Sequence, residues 1–205
     1  FDSPNLSVLQ DTAASRAYNT SNLQSVTGQL SQAARFTGAS VASLGNQNLA
    51  LGNALSISMW VKPASLDSVE ARFLSQATGV DANDHYLMAG AYRGDALRFR
   101  LKTGANNAAT TTLISAGGQL QAGQWSFVTF TYDGAAMRIF HNGVQIAQSA
   151  KSGPVASDGT VALALGNQPA GAGSRPFLGD MDDVRLYATA LSPANIADLM
   201  AYREG

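Results

Sequence analysis

Apolar and polar residues alternate along most of this chain with a period of two, the pattern of β-strands that bury one face. Residues 55–63 set it: Leu55, Ile57, Met59 and Val61 alternate with Ser56, Ser58 and Lys62, and Pro63 stops the run. The same reading predicts strands at 72–76, 85–92, 96–102, 110–114, 125–132, 137–141, 144–147, 161–165 and 182–187. Residues 125–132 are β-branched or aromatic almost throughout, which suits a pleated, buried surface. Short turn signals separate the strands, the spacing of a sandwich. Asn142-Gly143 takes the positive φ angles of a type I′ hairpin turn, and Arg93-Gly94-Asp95 reads as a second tight turn.

One helix is expected near the C-terminus. Ser192 is placed to cap it, Pro193 fits its first position, and Leu191 can staple against Ile196. Ile196, Leu199 and Met200 then form an apolar stripe. Residues 1–33 are polar, rich in Ser, Asn and Gln, and weakly periodic. They are expected to be a lead-in that packs on or precedes a single sandwich domain over 34–205. No internal repeat or second hydrophobic block argues for more than one domain, and 205 residues are compatible with one all-β unit.

Composition narrows the function. Only 13% of residues are charged, against about 25% in an average domain. The formal net charge is −1 and the basic residues are scattered. Arg98, Arg100 and Lys102 share one strand face and read as a solvated sheet surface; nucleic-acid binding needs a denser basic stripe. Twelve of the fourteen acidic residues are Asp, which fits turns and leaves room for a hard cation. The chain has no cysteine. No apolar run reaches the ~20 residues of a transmembrane helix, so membrane insertion is not expected. Phe1-Asp2-Ser3-Pro4 begins neither with Met nor as a signal peptide, which reads as a processed piece of something longer.

Four segments in order resemble the laminin-G-like branch of the concanavalin A-like jelly rolls. They are 55–63, 125–134, His141-Asn142-Gly143-Val144 and the closing stretch from Gly179-Asp180-Met181-Asp182-Asp183-Val184-Arg185-Leu186-Tyr187 to Ala190-Leu191-Ser192. The resemblance spans 34–200. It implies an all-β fold of two antiparallel sheets packed face to face along a jelly-roll path, with one short C-terminal helix. On it Trp60 and Trp125 are core residues rather than sugar-stacking platforms. It also implies a structural calcium, with Asp182 of the closing motif as a ligand and Asp11 as the early acidic partner. The opening Phe1-Asp2-Ser3-Pro4-Asn5-Leu6 departs from the family's usual start. Asp182 can equally cap a turn or pair with Arg185.

Other candidate chemistry is sparse. Asp81, Asn83, Asp84 and His85 form an oxygen-rich loop that serves as an Asx-rich turn or as part of a ligand rim. Glycosidases on this fold need paired carboxylates, and Glu70 and Glu204 lie far apart. Residues 86–92 faintly resemble a strand of jelly-roll alginate lyases, without the remaining lyase motifs. The glycine-rich stretch 166–173 lacks the following helix that a phosphate cradle requires.

The expectation is therefore a non-enzymatic carbohydrate-binding or adhesion module of a larger bacterial secreted or surface protein. Its ligand is a polysaccharide or glycoconjugate, docked at a rim of residues 81–85, 93–95 and 167–175. Asn83, Asp84, His85, Tyr92, Arg93 and Arg175 are the candidate contacts. Two alternatives stand: a structural spacer that contacts neighbouring domains, and an atypical polysaccharide lyase.

Overall fold

A computed structural model describes residues 8–11, 16–49, 52–104 and 109–202. In chain order the strands are β1 (Val8–Asp11), β2 (Arg16–Ser21), β3 (Gln24–Thr27), β4 (Gln32–Thr37), β5 (Val41–Asn46), β6 (Leu55–Pro63), β7 (Glu70–Ala77), β8 (His85–Tyr92), β9 (Ala96–Thr103), β10 (Ala109–Ile114), β11 (Ser126–Tyr132), β12 (Ala136–His141), β13 (Val144–Ala150), β14 (Ala162–Leu165) and β15 (Leu178–Tyr187). One helix, α1 (Pro193–Ala201), follows. Two antiparallel sheets result. The first runs β1-β2-β5-β14-β7-β8-β9-β10 and the second β13-β12-β11-β6-β15-β4-β3.

The predicted strands are present, with β6 and β8 at the expected limits. The first 33 residues hold more structure than their sequence suggests. Within the described part they supply β1, β2 and β3, with β2 paired to β5 and β3 to β4. They therefore extend one edge of each sheet. β3 is mostly exposed, so no apolar alternation marks it: an edge strand can be held by its ladder hydrogen bonds alone.

The core lies between the sheets. Leu55, Ile57, Met59 and Val61 of β6 with Val128, Phe130 and Tyr132 of β11 face Phe73, Leu87, Leu97, Phe99 and Leu101. Phe99 and Phe130 meet across the gap with ring centroids 5.7 Å apart. Tyr132 is fully buried, and its hydroxyl donates to the Gly153 carbonyl at 2.6 Å. The Asn142-Gly143 turn adopts φ of 48° and 82°, as a type I′ hairpin requires.

The outer face of the second sheet is closed by α1. Trp60, Phe127, Phe140 and Ile196 form a second apolar cluster, with Trp125, Leu191, Leu199 and Met200 packed against it. Ser192 caps the helix, its side chain accepting from Asn195 N. Burying Ile196 completely contributes about 1.5–3 kcal/mol. Trp60 sits under this helix, and the Lys62 ammonium lies 5.0 Å from the Trp125 ring centroid, so neither ring is a bare platform.

An arginine-lined sheet face as the candidate binding site

The outer face of the first sheet is different. On β9, Leu97, Phe99 and Leu101 point into the core, so strand alternation sends Arg98, Arg100 and Lys102 outward. The register then aligns the face in rows. Arg98 stands beside Gly90, which stands beside Arg72; Arg100 stands beside Met88, which stands beside Ser75; Tyr92 stands beside Glu70. The solvated surface expected for Arg98 and Arg100 is not found. Arg98 is 2% exposed, Arg100 8% and Arg72 0%.

Two loops cover them. The chain leaves β14 at Gly166, whose N–H donates to Phe73 O, and rejoins β7 where Arg72 N donates to Arg175 O at 3.0 Å. Residues 167–174 therefore bulge across the outer face. Asn167 closes the base of this loop, its Oδ1 accepting from Gln168 N at 2.8 Å and from Arg175 N at 2.7 Å. The second cover is the segment 78–84, which ends in a 3-10 turn at Ala82–Asp84.

Gln168 and His85 fasten the two covers together. Gln168 Oε1 accepts from the Ser75 hydroxyl, and its Nε2 donates to Gly79 O at 2.7 Å and reaches His85 Nε2 at 3.2 Å. His85 Nδ1 lies 2.7 Å from Asp81 O. A carbonyl only accepts, so Nδ1 carries the proton and Nε2 accepts from Gln168. Arg100 Nη1, 3.2 Å from Nδ1, then has no lone pair to meet there. Arg100 donates instead from Nη1 to Val80 O and from Nε to Thr112 Oγ1. His85 is fully enclosed. Burial, with the charges of Arg72, Arg100 and Arg98, lowers its pKa to about 4 and keeps the ring neutral.

Charge gathers at the other end of the strip. Glu70 accepts from Arg98 Nη1 at 2.8 Å, Arg175 Nε at 3.1 Å and Arg72 Nη2 at 3.3 Å. The Arg98 hydrogen bond, with the charges of Arg98 and Arg72, holds the Glu70 carboxyl at about 2 although burial pulls it upward. Burial and the neighbouring Arg98 lower Arg72 to about 9, so it stays cationic at neutral pH. Three guanidiniums thus surround one carboxylate, a local excess of two positive charges. Nε and Nη1 of Arg72 and Nε and Nη2 of Arg98 are buried without a hydrogen-bond partner. The Arg98 guanidinium carbon lies 4.9 Å from the Tyr92 ring centroid, and that of exposed Arg93 lies 5.3 Å from it.

The six candidate contacts therefore fall at two ends of one strip. Asn83, Asp84 and His85 lie at the start of β8, and Tyr92, Arg93 and Arg175 at its far end. Asn83 is exposed. Asp84 is engaged in its own turn, where its Oδ2 accepts from Asp81 N at 2.9 Å, and His85 offers no free nitrogen. Glu70, Arg72, Arg98 and Gln168 complete the strip. The signal for the first three was the double alternation Glu70-x-Arg72 and Arg98-x-Arg100, charges repeated on one face of the two central strands, β7 and β9, that flank β8.

The calcium expectation is tested by what surrounds Asp182. A bulge between Asp182 and Arg185, with Asp183 at φ 48°, turns this carboxylate inward. Its Oδ2 accepts from Leu30 N and its Oδ1 from Asp183 N, both at 2.7 Å. Burial raises its pKa, and the N–H donors, Leu30 first, pull the other way. A Cβ added to Gly28 would stand 2.4 Å from Oδ2. Each oxygen of this carboxylate thus accepts a backbone N–H, which ties the β15 bulge to the connection between β3 and β4. Among the described residues no group of three or more His, Cys, Asp or Glu gathers around a common point. Asp180 pairs with Arg35 and Lys62, and Asp183 with Arg185. The side chain of Asp11 and the whole of Glu204 lie outside the described residues.

A hollow lined by Ser65, Ala71, Gly94 and Phe177, with no charged side chain, has a volume of about 10 Å³. It holds no more than a water molecule. No helix among the described residues is long and apolar enough to cross a membrane.

A two-sheet sandwich with one broad face sealed by a helix and the other polar and loop-covered defines a jelly-roll domain of the lectin-like class. The family model of the Concanavalin A-like lectin/glucanases superfamily, laminin-G type, matches residues 36–197, and the chain belongs to this family. Among solved structures it is similar to domain 4 of AbnA, an extracellular arabinanase from Geobacillus stearothermophilus, in complex with arabinotriose. The two are 25% identical with a TM-score of 0.64, over 88% of this chain and 82% of that one. It also shares its fold with the binding domain of Paraclostridial Mosquitocidal Protein 1, at 12% identity and TM-score 0.66, over 94% of this chain and 50% of that one. The receptor binding domain of botulinum neurotoxin C/D mosaic serotype is a further case, at 16% and 0.62, over 89% and 46%. This chain spans about half the length of those two toxin domains. No curated protein sequence matches it.

Proposed function

We propose that this domain is a glycan-binding module of an extracellular protein, and that its ligand lies at the Tyr92 end of the arginine strip. The observation that carries this reading is the grouping of Tyr92, Glu70 and Arg175 with exposed Arg93 at one edge of the sheet face. Planar guanidinium groups pair with sugar oxygens in fixed geometry, and an adjacent ring packs against a sugar face. The arabinotriose complex of AbnA domain 4 supports the same class of ligand for a relative of this size.

The site is read as one that binds without catalysis. Glu70 is locked to three arginines, which suits neither a general acid nor a nucleophile opposite a second carboxylate. His85, the nearest imidazole, has both nitrogens occupied.

A glycan array probed with the wild-type domain and with Tyr92→Ala tests the proposal. Wild-type protein is expected to retain a restricted set of glycans, and Tyr92→Ala to lose them while keeping its circular dichroism spectrum. An array with no bound glycan, or retention unchanged in Tyr92→Ala, overturns it. Release of unsaturated, ultraviolet-absorbing sugars from any retained polysaccharide would instead favour a lyase.

A further inference from the structure

We infer that the guanidinium cluster of Arg72, Arg98 and Arg175 is a carboxylate site, so that the glycan taken by this face is acidic and contains uronate residues. The inference rests on the glycan-binding reading above and adds the charge of the ligand to it. Its first ground is the charge balance. Among the described residues Glu70 is the only carboxylate in contact with these three guanidiniums. Two of the three are almost wholly buried, where uncompensated charge is costly.

The second ground is unused hydrogen bonding. Arg72 and Arg98 each keep two buried nitrogens without partners. Buried donors of this kind are normally satisfied, and an arginine fork matches a carboxylate in bidentate geometry. The third is shape. Gly90 separates Arg72 from Arg98 in the register, and having no side chain it leaves bare backbone between them. The β7 backbone packs against it, an added Cβ lying 2.1 Å from Ala71 O, so no side chain can come between the two guanidiniums.

Arg175 is the way in. Its side chain is 39% exposed, and two contacts hold it in place, Nε to Glu70 and Nη1 to Ser174 O at 2.7 Å. A ligand carboxylate meets Arg175 first, draws it from Glu70, and opens the path to Arg98 and Arg72. Glu70 acts as the competing anion that the ligand displaces. No covalent step is involved.

The test compares trigalacturonate with its neutral methyl ester by titration calorimetry, using the intact domain at low and at physiological salt. The acid is expected to bind at least about tenfold more tightly than the ester, with affinity falling as salt rises. Arg175→Gln, at a half-exposed position, is expected to lose about tenfold in affinity for the acid with an unchanged melting temperature. Glu70→Gln, which removes the competitor, is expected to gain affinity several-fold. Opposite effects from these two variants distinguish a carboxylate site from general structural damage. Equal binding of acid and ester overturns the inference, as does an Arg175→Gln variant that binds like wild type. If trigalacturonate fails to bind while neutral glycans are retained on the array, the inference falls and the glycan-binding reading stands. If neither is held, both fall.

Discussion

Acidification gives the sharpest check on the buried face, because His85 has to be neutral for the two cover loops to close. Its ring is fully enclosed, donates from Nδ1 to Asp81 O and accepts from Gln168. Protonation adds a fourth cation to a space already holding Arg72, Arg98 and Arg100, and turns the Gln168 contact into a clash of donors. The folded pKa is lowered to about 4, against about 6.5 in the unfolded chain. A base with a lowered folded pKa contributes stability that is complete above 6.5 and is lost as pH falls through 4. The full loss is about 2.5 units at 1.36 kcal/mol each, or roughly 3 kcal/mol, with a slope near 1.4 kcal/mol per pH unit around pH 5. Urea unfolding at several pH values between 7 and 4 reads this slope. Half-buried His141 is also lowered by burial and adds to it, while Asp182, raised by burial, opposes it. The His85→Gln variant keeps both and removes only the term in question. A His85→Gln variant with the same slope as wild type, or His85 proton resonances that titrate with a midpoint at or above 6, would refute a neutral, enclosed His85.

Glu70→Gln is expected to lower stability at pH 7 by about 2–3 kcal/mol. The lowering of Glu70 from 4.5 to about 2 sets the scale, and the gap to wild type should close below pH 4.5 and vanish near 2; denaturant titrations at pH 7 and 3 measure both. Asp182→Asn turns an NH₂ toward the N–H of Leu30 or Asp183 and should cost about 1–3 kcal/mol. With a backbone N–H already on each Asp182 oxygen, millimolar calcium is expected to leave the melting temperature of wild type and variant unchanged. Gly166→Ala puts a Cβ 2.1 Å from the Phe36 ring at a backbone φ of 78°, which should destabilise by about 2 kcal/mol or more and shift the thermal melt accordingly.

Alternation and turn chemistry made most strands, both hairpins and the helix cap legible before any coordinates. The hidden parts share physical reasons. β3 buries no face of its own and belongs to a sheet only through its ladder, so no periodicity announces it. Arg98 and Arg100 alternate with core residues as surface charges do, and only the two covering loops, 78–84 and the one between β14 and β15, make that surface an interior. His85 reads as a ligand-facing imidazole in an Asx-rich loop. Its burial depends on Gln168, 83 positions away, a pairing that local pattern does not encode. Of the three segments expected to form a rim, 81–85 and 167–175 meet through His85 and Gln168, while 93–95 lies at the opposite end of β8.

The near-zero net charge conceals how the charge is arranged. The chain carries thirteen basic and fourteen acidic residues, yet Arg72, Arg98, Arg100, Lys102 and Arg175 share one sheet face with a single glutamate in contact with three of them. On the opposite sheet the corresponding outer face holds Trp60, Phe127 and Phe140 beneath α1 and is closed by apolar packing. A sandwich needs its two inner faces apolar, but nothing in its packing requires cations on an outer one. Covering arginines with loops costs desolvation that apolar residues there would not. Fixing Gln168 by three contacts then makes that cover rigid, and rigidity on a strand scaffold is what holds guanidiniums in position for an incoming anion. The asymmetry between the two outer faces, one sealed by a helix and one holding charge in reserve, is the reason the proposed ligand is placed on the eight-stranded sheet.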